Sequence, residues 1–161
     1  MDLHTPRFTT KQTAQAAGFD PSAFRNHLSR GLLPVPDDAV ARAQESGRAN
    51  VFNLRTVYQA AIANRLIQVG MPREAAFAAG ARFAHAGTGG ATMQRLPGQL
   101  FADGLTFLIC TPQVDGGQKV RLVNARRDTS MFEAFTGGGV CAIVLVNHVV
   151  FEVNERLELT A

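Results

Sequence analysis

The feature that most constrains this chain is a pair of closely spaced helix signals within its first 31 residues. Thr10 can cap a short helix over Lys11–Ala17, and Gly18 permits the left-handed turn that ends it. Asp20-Pro21 then supplies an N-cap acceptor followed by proline at the first helical position, and the second helix stops at Gly31. Two short helices joined by a tight glycine turn predict a helix-turn-helix.

Two further helices are expected after a loop. Val51-Phe52 predicts a brief strand, and Asn53 can cap a third helix that ends at Gly70. The apolar side chains of that helix share one stripe with a period of 3.6 residues: Leu54, Val57, Tyr58, Ala61, Ile62, Leu66 and Val69. Pro72 opens a fourth helix, which Gly80 weakens from its middle.

The second half of the chain favours strands. Alanine falls from 18 in residues 1–90 to 6 in residues 91–161, while valine rises from 5 to 9. Leu105–Thr111 and Lys119–Asn124 predict a hairpin around the turn signal Asp115-Gly116-Gly117. Val140–Val146 is apolar on both faces, which predicts a central strand.

Two segments of this half are less regular. Asp128–Phe135 predicts a helical turn that carries apolar side chains into the core and is ended by the glycines at 137–139. After a two-residue turn at Asn147-His148, apolar and polar residues alternate from Val149 to Leu159. This alternation predicts a last strand with one exposed face.

Charge is distributed unevenly between the halves. Residues 1–90 hold ten Lys and Arg against six Asp and Glu, a net of +4, whereas residues 91–161 hold six against seven, a net of −1. Nine of the ten N-terminal cations are Arg, whose planar guanidinium can grip a phosphate or a base edge with two hydrogen bonds. This pattern favours nucleic acid as the partner, and a solvated Arg-rich helix face is the alternative.

Other function classes find less support in the sequence. Motifs of the common hydrolases, metalloproteases and thiol–disulfide enzymes are missing, so we expect no enzymatic activity, cofactor or metal. Cys110 and Cys141 lie in apolar surroundings and are expected to be buried free thiols. No apolar run approaches the roughly 18 residues that cross a bilayer, and residues 1–7 lack a secretory pattern. We therefore expect a cytoplasmic protein with no membrane partner.

Several N-terminal features occur in a definite order. They are the pair Phe8-Thr9, the turn Ala17–Asp20, Arg25 in the second helix, the exit Gly31–Pro34 and the pair Phe52-Asn53. In order, spacing and residue type, residues 8–80 resemble the MerR family of winged-helix transcription regulators. The resemblance implies a winged helix-turn-helix over residues 1–86. Together with the strand signals of the second half, the sequence predicts an α+β chain, in which a linker with a short helix over 87–104 leads to a small antiparallel β domain over 105–161.

In that family the second helix enters the major groove of double-stranded DNA, and the loop after it forms a wing against the backbone. The resemblance implies that the DNA-contacting residues are Thr10, Lys11, Ser22, Ala23, Arg25, Asn26, His27, Arg30, Arg42, Arg48 and Arg55. We also expect the N-terminus of the second helix to offer free N–H groups to a phosphate. His27 has a simpler interpretation as a packed histidine, and His85 is expected to be a cation near a helix C-terminus.

The sequence thus predicts a sequence-specific DNA-binding transcription regulator of bacterial or phage type, acting as a homodimer on an inverted repeat. The long dimerising coiled coil of the family is missing after Ala86, so the β domain is expected to supply dimerisation, binding of a small-molecule or protein effector, or both. One alternative is a phage-type excisionase or architectural protein that bends DNA. The other is an antirepressor-like interaction module, which burial of Arg25, Arg30 and Arg48 in ion pairs would favour.

Overall fold

The computed structural model describes residues 2–41, 50–88, 94–113, 117–126 and 140–159. Within these ranges the α-helices are α1 (Thr10–Ala16), α2 (Pro21–Ser29), α3 (Leu54–Gln68), α4 (Arg73–Ala84) and α5 (Val146–Arg156). The strands are β1 (Phe8–Thr9), β2 (Val40–Ala41), β3 (Val51–Phe52), β4 (Thr106–Pro112), β5 (Gln118–Asn124) and β6 (Ala142–Leu145). They form two antiparallel sheets, ordered β1-β3-β2 and β5-β4-β6. The predicted α+β class, with helices before the larger sheet, is confirmed.

The helices begin at local capping signals. Thr9, rather than the predicted Thr10, caps α1: its hydroxyl accepts the Gln12 N–H at 3.3 Å, and the Gln12 side-chain oxygen accepts the Thr9 N–H at 3.0 Å. This reciprocal pair moves the helix start one residue earlier than expected. The predicted caps of α2 and α3, Asp20 and Asn53, are confirmed.

The turn between α1 and α2 is held by two other helices. Gly18 adopts a φ of +77°, which a residue with a Cβ rarely tolerates. The Asn64 side chain of α3 donates to the carbonyl oxygens of Ala17 and Gly18, at 3.1 and 3.0 Å. Arg156 of α5 donates to the Ala16 carbonyl at 3.0 Å. These bonds fix how α2 leaves α1.

Helices α3 and α4 pack very closely at Gly80. A Cβ atom added there would lie only 2.5 Å from the Gln59 carbonyl oxygen of α3. The Gln59 side chain is also buried, and it donates to the carbonyls of Pro34 and Phe77 at 3.0 and 3.3 Å. The helix that was expected to be weakened by Gly80 therefore gains a close helix–helix contact from the same residue.

The first sheet joins the start of the chain to the segment after α2. β3 lies in its centre, where Phe52 pairs with Phe8 on one side and with Val40 on the other. The strand predicted at Val51-Phe52 is confirmed. The connection between β2 and β3, residues 42–49, lies outside the described residues.

The second sheet contains the predicted hairpin. β4 pairs with β5 from Thr106 opposite Asn124 to Pro112 opposite Gln118. The prediction of a central strand over Val140–Val146 is wrong: the strand is shorter, and among the described residues it pairs only with β4. β4, with a strand on each side, is the central one.

The last segment is a helix, so the prediction of a turn at Asn147-His148 and a strand from Val149 to Leu159 is wrong. Val146, Val149 and Val153 are its buried residues. Their spacing of three and four residues places all three on one helical face, whereas only Val149 and Val153 also fit the alternation of a strand. Packing against α3 and α1 selects the helix despite its β-branched composition.

Elements of both halves contribute to one apolar core. It includes Phe77 of α4, Leu66 of α3, Leu108 and Cys110 of β4, and Val149 of α5, all of them buried. Burial raises the pKa of the Cys110 thiol to about 12, with a smaller effect from Cys141, and both cysteines are free. Cys110 thus has the buried thiol that the sequence predicts, whereas Cys141 is half-buried.

Arg95 closes the C-terminal end of α4. It is buried, and its guanidinium donates to the carbonyl oxygens of Arg82, Phe83, Ala86, Leu96 and Gln99. Its guanidinium carbon also lies 4.9 Å from the centre of the Phe83 ring. This single side chain satisfies helix-end carbonyls and ties α4 to the segment that leads into β4.

Some expectations fall outside the described residues. These are the helical turn at Asp128–Phe135 with its glycine stop, the first two residues of the turn Asp115-Gly116-Gly117, and part of the linker at 89–93. No helix in the described part of the chain is both long and apolar enough to span a membrane.

Candidate nucleic-acid interface

The exposed face of α2 is a stripe of polar and cationic side chains. Its exposed residues are Ser22, Arg25, Asn26, Ser29 and Arg30. These positions recur at three- and four-residue intervals, so they lie along one side of the helix. The stripe consists of amide, hydroxyl and guanidinium groups, which can form hydrogen bonds with a polar partner, and it contains no carboxylate.

The opposite face of α2 anchors it to the core. Phe24 is fully buried. The His27 ring makes edge contacts with Phe19 and Phe77, each at 5.5 Å between ring centres. Burial lowers the pKa of His27, and the charges of two nearby arginines lower it further. His27 is therefore the packed histidine of the simpler interpretation, and we leave it out of the candidate surface.

A cleft of about 560 Å³ lies where α1, α2 and the β2–β3 segment meet. Its lining residues are Thr9, Thr10, Lys11, Arg25, Leu28, Ser29 and Asn50. Thr10 donates to the Asn50 carbonyl at 3.4 Å, which links the start of α1 to the residue before β3. The structure thus brings together three residues that the sequence predicted as DNA contacts, and none of the lining residues that it describes is acidic.

Besides Leu28, three polar members of this cleft were not predicted from the sequence. Ser29 was detectable, because it follows Arg25 by four residues and so shares its helical face. Thr9 was not predicted, because the helix cap was expected at Thr10. Asn50 reaches the cleft only through the pairing of β3 with β1 and β2, for which no local signal exists.

The cations of this surface are open to solvent. Lys11, Arg25 and Arg30 are exposed, and none of them makes an ion pair or hydrogen bond through its side chain to a described residue. Arg25 does act on Asp20 through its charge. Arg25 and Arg30 are therefore not in the buried ion pairs that would favour the antirepressor-like alternative, and Arg48, the third arginine of that comparison, lies outside the described residues.

The N-terminus of α2 differs from the expected phosphate site. Asp20 accepts the N–H groups of Ser22 and Ala23 at 2.9 and 3.0 Å, and the Ser22 hydroxyl also donates to it at 2.5 Å. The Ser22 hydroxyl contributes most to lowering the pKa of Asp20, followed by the Ala23 and Ser22 N–H groups. An ionised carboxylate therefore occupies the position where a phosphate was expected, and Ser22 and Ala23 are not phosphate ligands through their N–H groups.

The expected wing arginines have different fates. Arg55 is buried and donates to Asp38 at 2.9 Å. It connects α3 to the short turn before β2 and is therefore not part of the candidate surface. Arg42 and Arg48 lie outside the described residues. Of the three expected wing contacts, none is placed on the surface by the described part of the chain.

His85 is not the helix-terminal cation that the sequence predicted. Its Nε2 atom lies 2.9 Å from the Gln59 side-chain oxygen. Burial lowers its pKa to about 4, and the charge of Arg55 adds to the effect. His85 is neutral at physiological pH and belongs to the interior between α3 and α4.

Among the described residues, no group of three or more His, Cys, Asp or Glu side chains is arranged to hold a metal ion. Comparison with known protein families found no family model that matches the chain, and no curated protein matches it significantly. The surface of α2 and the adjoining cleft therefore carry the functional interpretation.

Proposed function

We propose that this chain is a sequence-specific DNA-binding transcription regulator that places α2 in the major groove. The observation that supports this most directly is that Arg25 and Ser29 of the α2 stripe meet Lys11 and Asn50 in one cleft, whose described lining residues include no carboxylate. An α-helix fits the major groove, which is about 12 Å wide. The fold rests α2 on Phe24 and His27, so its polar stripe is free to face a groove.

Individual side chains suit distinct parts of the duplex. Arg25 lies in the middle of the stripe and can bond the O6 and N7 atoms of guanine with two N–H groups. Asn26, the next residue, can bond the N6 and N7 atoms of adenine. Lys11, at the start of α1, and Arg30, after the last turn of α2, are suited to phosphates on either side of the groove.

The β2–β3 segment adds a second contact region in this proposal. Ala41 and Val51, described residues on either side of the connection of residues 42–49, are paired across β2 and β3. Asn50, at its return, lines the same cleft as Lys11 and Arg25. In this proposal Arg42 and Arg48, which belong to this connection, contact the DNA backbone as part of a wing.

The proposal is tested by retention of genomic DNA fragments and by the affinity of the selected fragment. We expect Arg25→Ala to weaken binding by about 1–3 kcal/mol, because one charge-assisted contact to a base is lost while the core is untouched. Arg82→Ala is the matched control, since Arg82 is an exposed arginine of α4 close to β5. Equal affinity of both variants and the wild type for the fragment would remove α2 from the interface.

Assembly as a homodimer on an inverted repeat is part of the proposal. Two copies of α2 must then lie about 34 Å apart, the length of one turn of DNA. Sedimentation of the full chain with and without its selected fragment measures the stoichiometry. Two protomers on a site whose half-sites are spaced by about one turn support the proposal, and one protomer on an asymmetric site contradicts it.

The same fragment distinguishes the remaining alternatives. A large bend in circularly permuted probes, with little discrimination between sequences, would favour the architectural alternative. Failure to retain any fragment above bulk DNA near physiological salt would favour an interaction module.

A further inference from the structure

A second cleft lies between the end of α3, β6 and the first turns of α5. Its volume is about 630 Å³, within the range of small-molecule sites. Most of its lining is apolar and includes Leu66, Val69, Ile143, Leu145 and Val149. The remaining polar side chains of the lining are Arg65, Gln68, His148 and Glu152.

The apolar wall of this cleft is accessible. Val69 is 70% exposed and Val140 is 84% exposed, and both line the cleft. Large apolar side chains that gather around one concavity, rather than being scattered singly, are typical of binding surfaces. The wall can therefore accept a hydrocarbon group from solvent.

The charged part of the cleft is centred on Glu152. Arg65 of α3 donates to its carboxylate, His148 Nε2 lies 3.0 Å from Oε1, and Arg156 donates to Oε2 at 3.4 Å. Burial raises the pKa of Glu152, but the hydrogen bond from Arg65 and the surrounding charges outweigh it and lower the pKa. Two arginines thus share one ionised carboxylate, which leaves the cluster with a net positive charge.

Arg65 retains donors for a second anion. Its side chain is 38% exposed, and one of its guanidinium nitrogens pairs with the Glu152 carboxylate. The other N–H groups of its guanidinium bond to no side chain or carbonyl in the described chain. A guanidinium carries five N–H donors, so Arg65, which Glu152 holds in place through one nitrogen, can bind a further carboxylate with two of the others.

We propose that this cleft binds a small amphipathic carboxylate, with its carboxylate on Arg65 and its hydrocarbon part against Val69, Leu145 and Val149. Glu152 acts as a positioning residue, because it holds the guanidinium at the cleft wall. An amphipathic amine is disfavoured, since Glu152, the one carboxylate among the described lining residues, is already paired with Arg65, Arg156 and His148.

The cluster also reaches the DNA-binding half of the molecule. Arg156 shares Glu152 with Arg65, and it donates to the Ala16 carbonyl at the end of α1. This bond helps to fix the turn from which α2 departs. On the basis of the proposed function, a carboxylate bound to Arg65 changes the position of Glu152 and Arg156 and thereby changes the DNA affinity.

Binding is tested by calorimetry and thermal unfolding of the full chain with octanoate as the probe and octylamine as the control of opposite charge. We expect octanoate to bind and to raise the unfolding temperature, and octylamine to do neither. Arg65→Gln should weaken octanoate binding by about tenfold or more, whereas Arg82→Gln should not change it. Val69→Asp, at an exposed position, should also weaken it by placing a carboxylate in the wall.

Three results would overturn the site: no binding of hexanoate, octanoate or decanoate, equal binding of octylamine, or unchanged affinity in both Arg65→Gln and Val69→Asp. The regulatory step is measured separately, as the affinity for the selected DNA fragment with and without saturating octanoate. We expect a change of about threefold or more that is lost in Arg156→Gln. An unchanged DNA affinity refutes the regulation alone, and a chain that binds no DNA refutes the proposed function while calorimetry still decides the site.

Discussion

Replacement of Gly80 by alanine should destabilise the protein, although the same change stabilises most helices. Alanine in the middle of a helix is favoured over glycine by about 1 kcal/mol. Here the added Cβ would lie 2.5 Å from the Gln59 carbonyl oxygen, whereas ordinary contact begins at 3.4 Å. The obstacle is backbone, so no side-chain rotation can relieve it.

The expected magnitude follows from the separation that the two helices must undergo. Moving α3 from α4 by roughly 0.9 Å forfeits a quarter to a half of the dispersion energy at each contact along the interface. Overpacking of this kind costs about 1–3 kcal/mol in a close-packed core, and the shift also stretches the bonds that the Gln59 side chain makes to Pro34 and Phe77. After the gain of about 1 kcal/mol in helix propensity is subtracted, overpacking leaves a loss of up to about 2 kcal/mol, and the stretched Gln59 bonds add to it.

Urea denaturation followed by circular dichroism measures this difference, with an unchanged m-value as the check on two-state unfolding. The matched control is Ala78→Gly, an exposed position on the same helix, which should lose about 1 kcal/mol through propensity alone. Both a Gly→Ala and an Ala→Gly change on one helix are therefore expected to be unfavourable. Equal or greater stability of Gly80→Ala would refute the close contact between α3 and α4.

The remaining predictions concern DNA binding, pH and the end of α4. If Lys11 and Arg30 of two protomers contact four phosphates, a plot of log K against log salt concentration should have a negative slope with a magnitude of about 3.6 or more. Lys11→Ala should reduce that magnitude by about 1.8, and an unchanged slope would exclude Lys11 from the phosphate contacts. Asp20→Asn keeps an N-cap acceptor and removes a negative charge beside α2, so DNA affinity in a gel-shift titration should rise by about two- to fivefold, and a lower affinity in the folded variant would contradict the assignment. The pKa of His85 is 6.5 in the unfolded chain and about 4 in the folded protein, so the unfolded chain binds the proton more readily. The free energy of unfolding should therefore reach its full value above pH 6.5 and decrease as the pH falls towards 4. Urea denaturation should show a smaller decrease in His85→Gln than in the wild type. Arg95→Met leaves several buried carbonyls without a donor and should lower the free energy of unfolding by about 2–4 kcal/mol, and a loss below about 1 kcal/mol would show that water replaces the guanidinium.

Local chemistry determined the N-terminal helices in advance. The caps at Asp20 and Asn53 and the glycine at position 18 act through bonds and backbone angles within a few residues, so they are visible in sequence. The exposed stripe of α2 follows from the helical period, and Arg25, which lies in it, was predicted as a DNA contact from the family resemblance. The hairpin β4–β5 was predictable for a similar reason, since its two strands are neighbours along the chain.

The tertiary structure alone decided the features that depend on distant residues. The alternation around Val149 and Val153 fits a strand or a helix, and only packing on α1 and α3 selects α5. Arg55 resembles a DNA-contacting arginine in sequence, but its partner Asp38 lies 17 positions earlier and draws it inward.

The same holds for the two clefts. Asn50 joins Lys11 and Arg25 through strand pairing, and Arg65 meets Glu152 across 87 positions of sequence. Short-range propensities carry no information about such contacts, because the free energy that forms them comes from burying the helices against one another. The sequence by itself therefore determined where α1 to α4 form and which face of α2 is polar, whereas the packing of α3 and α5 decided that α5 is a helix and which charged side chains remain available to a partner.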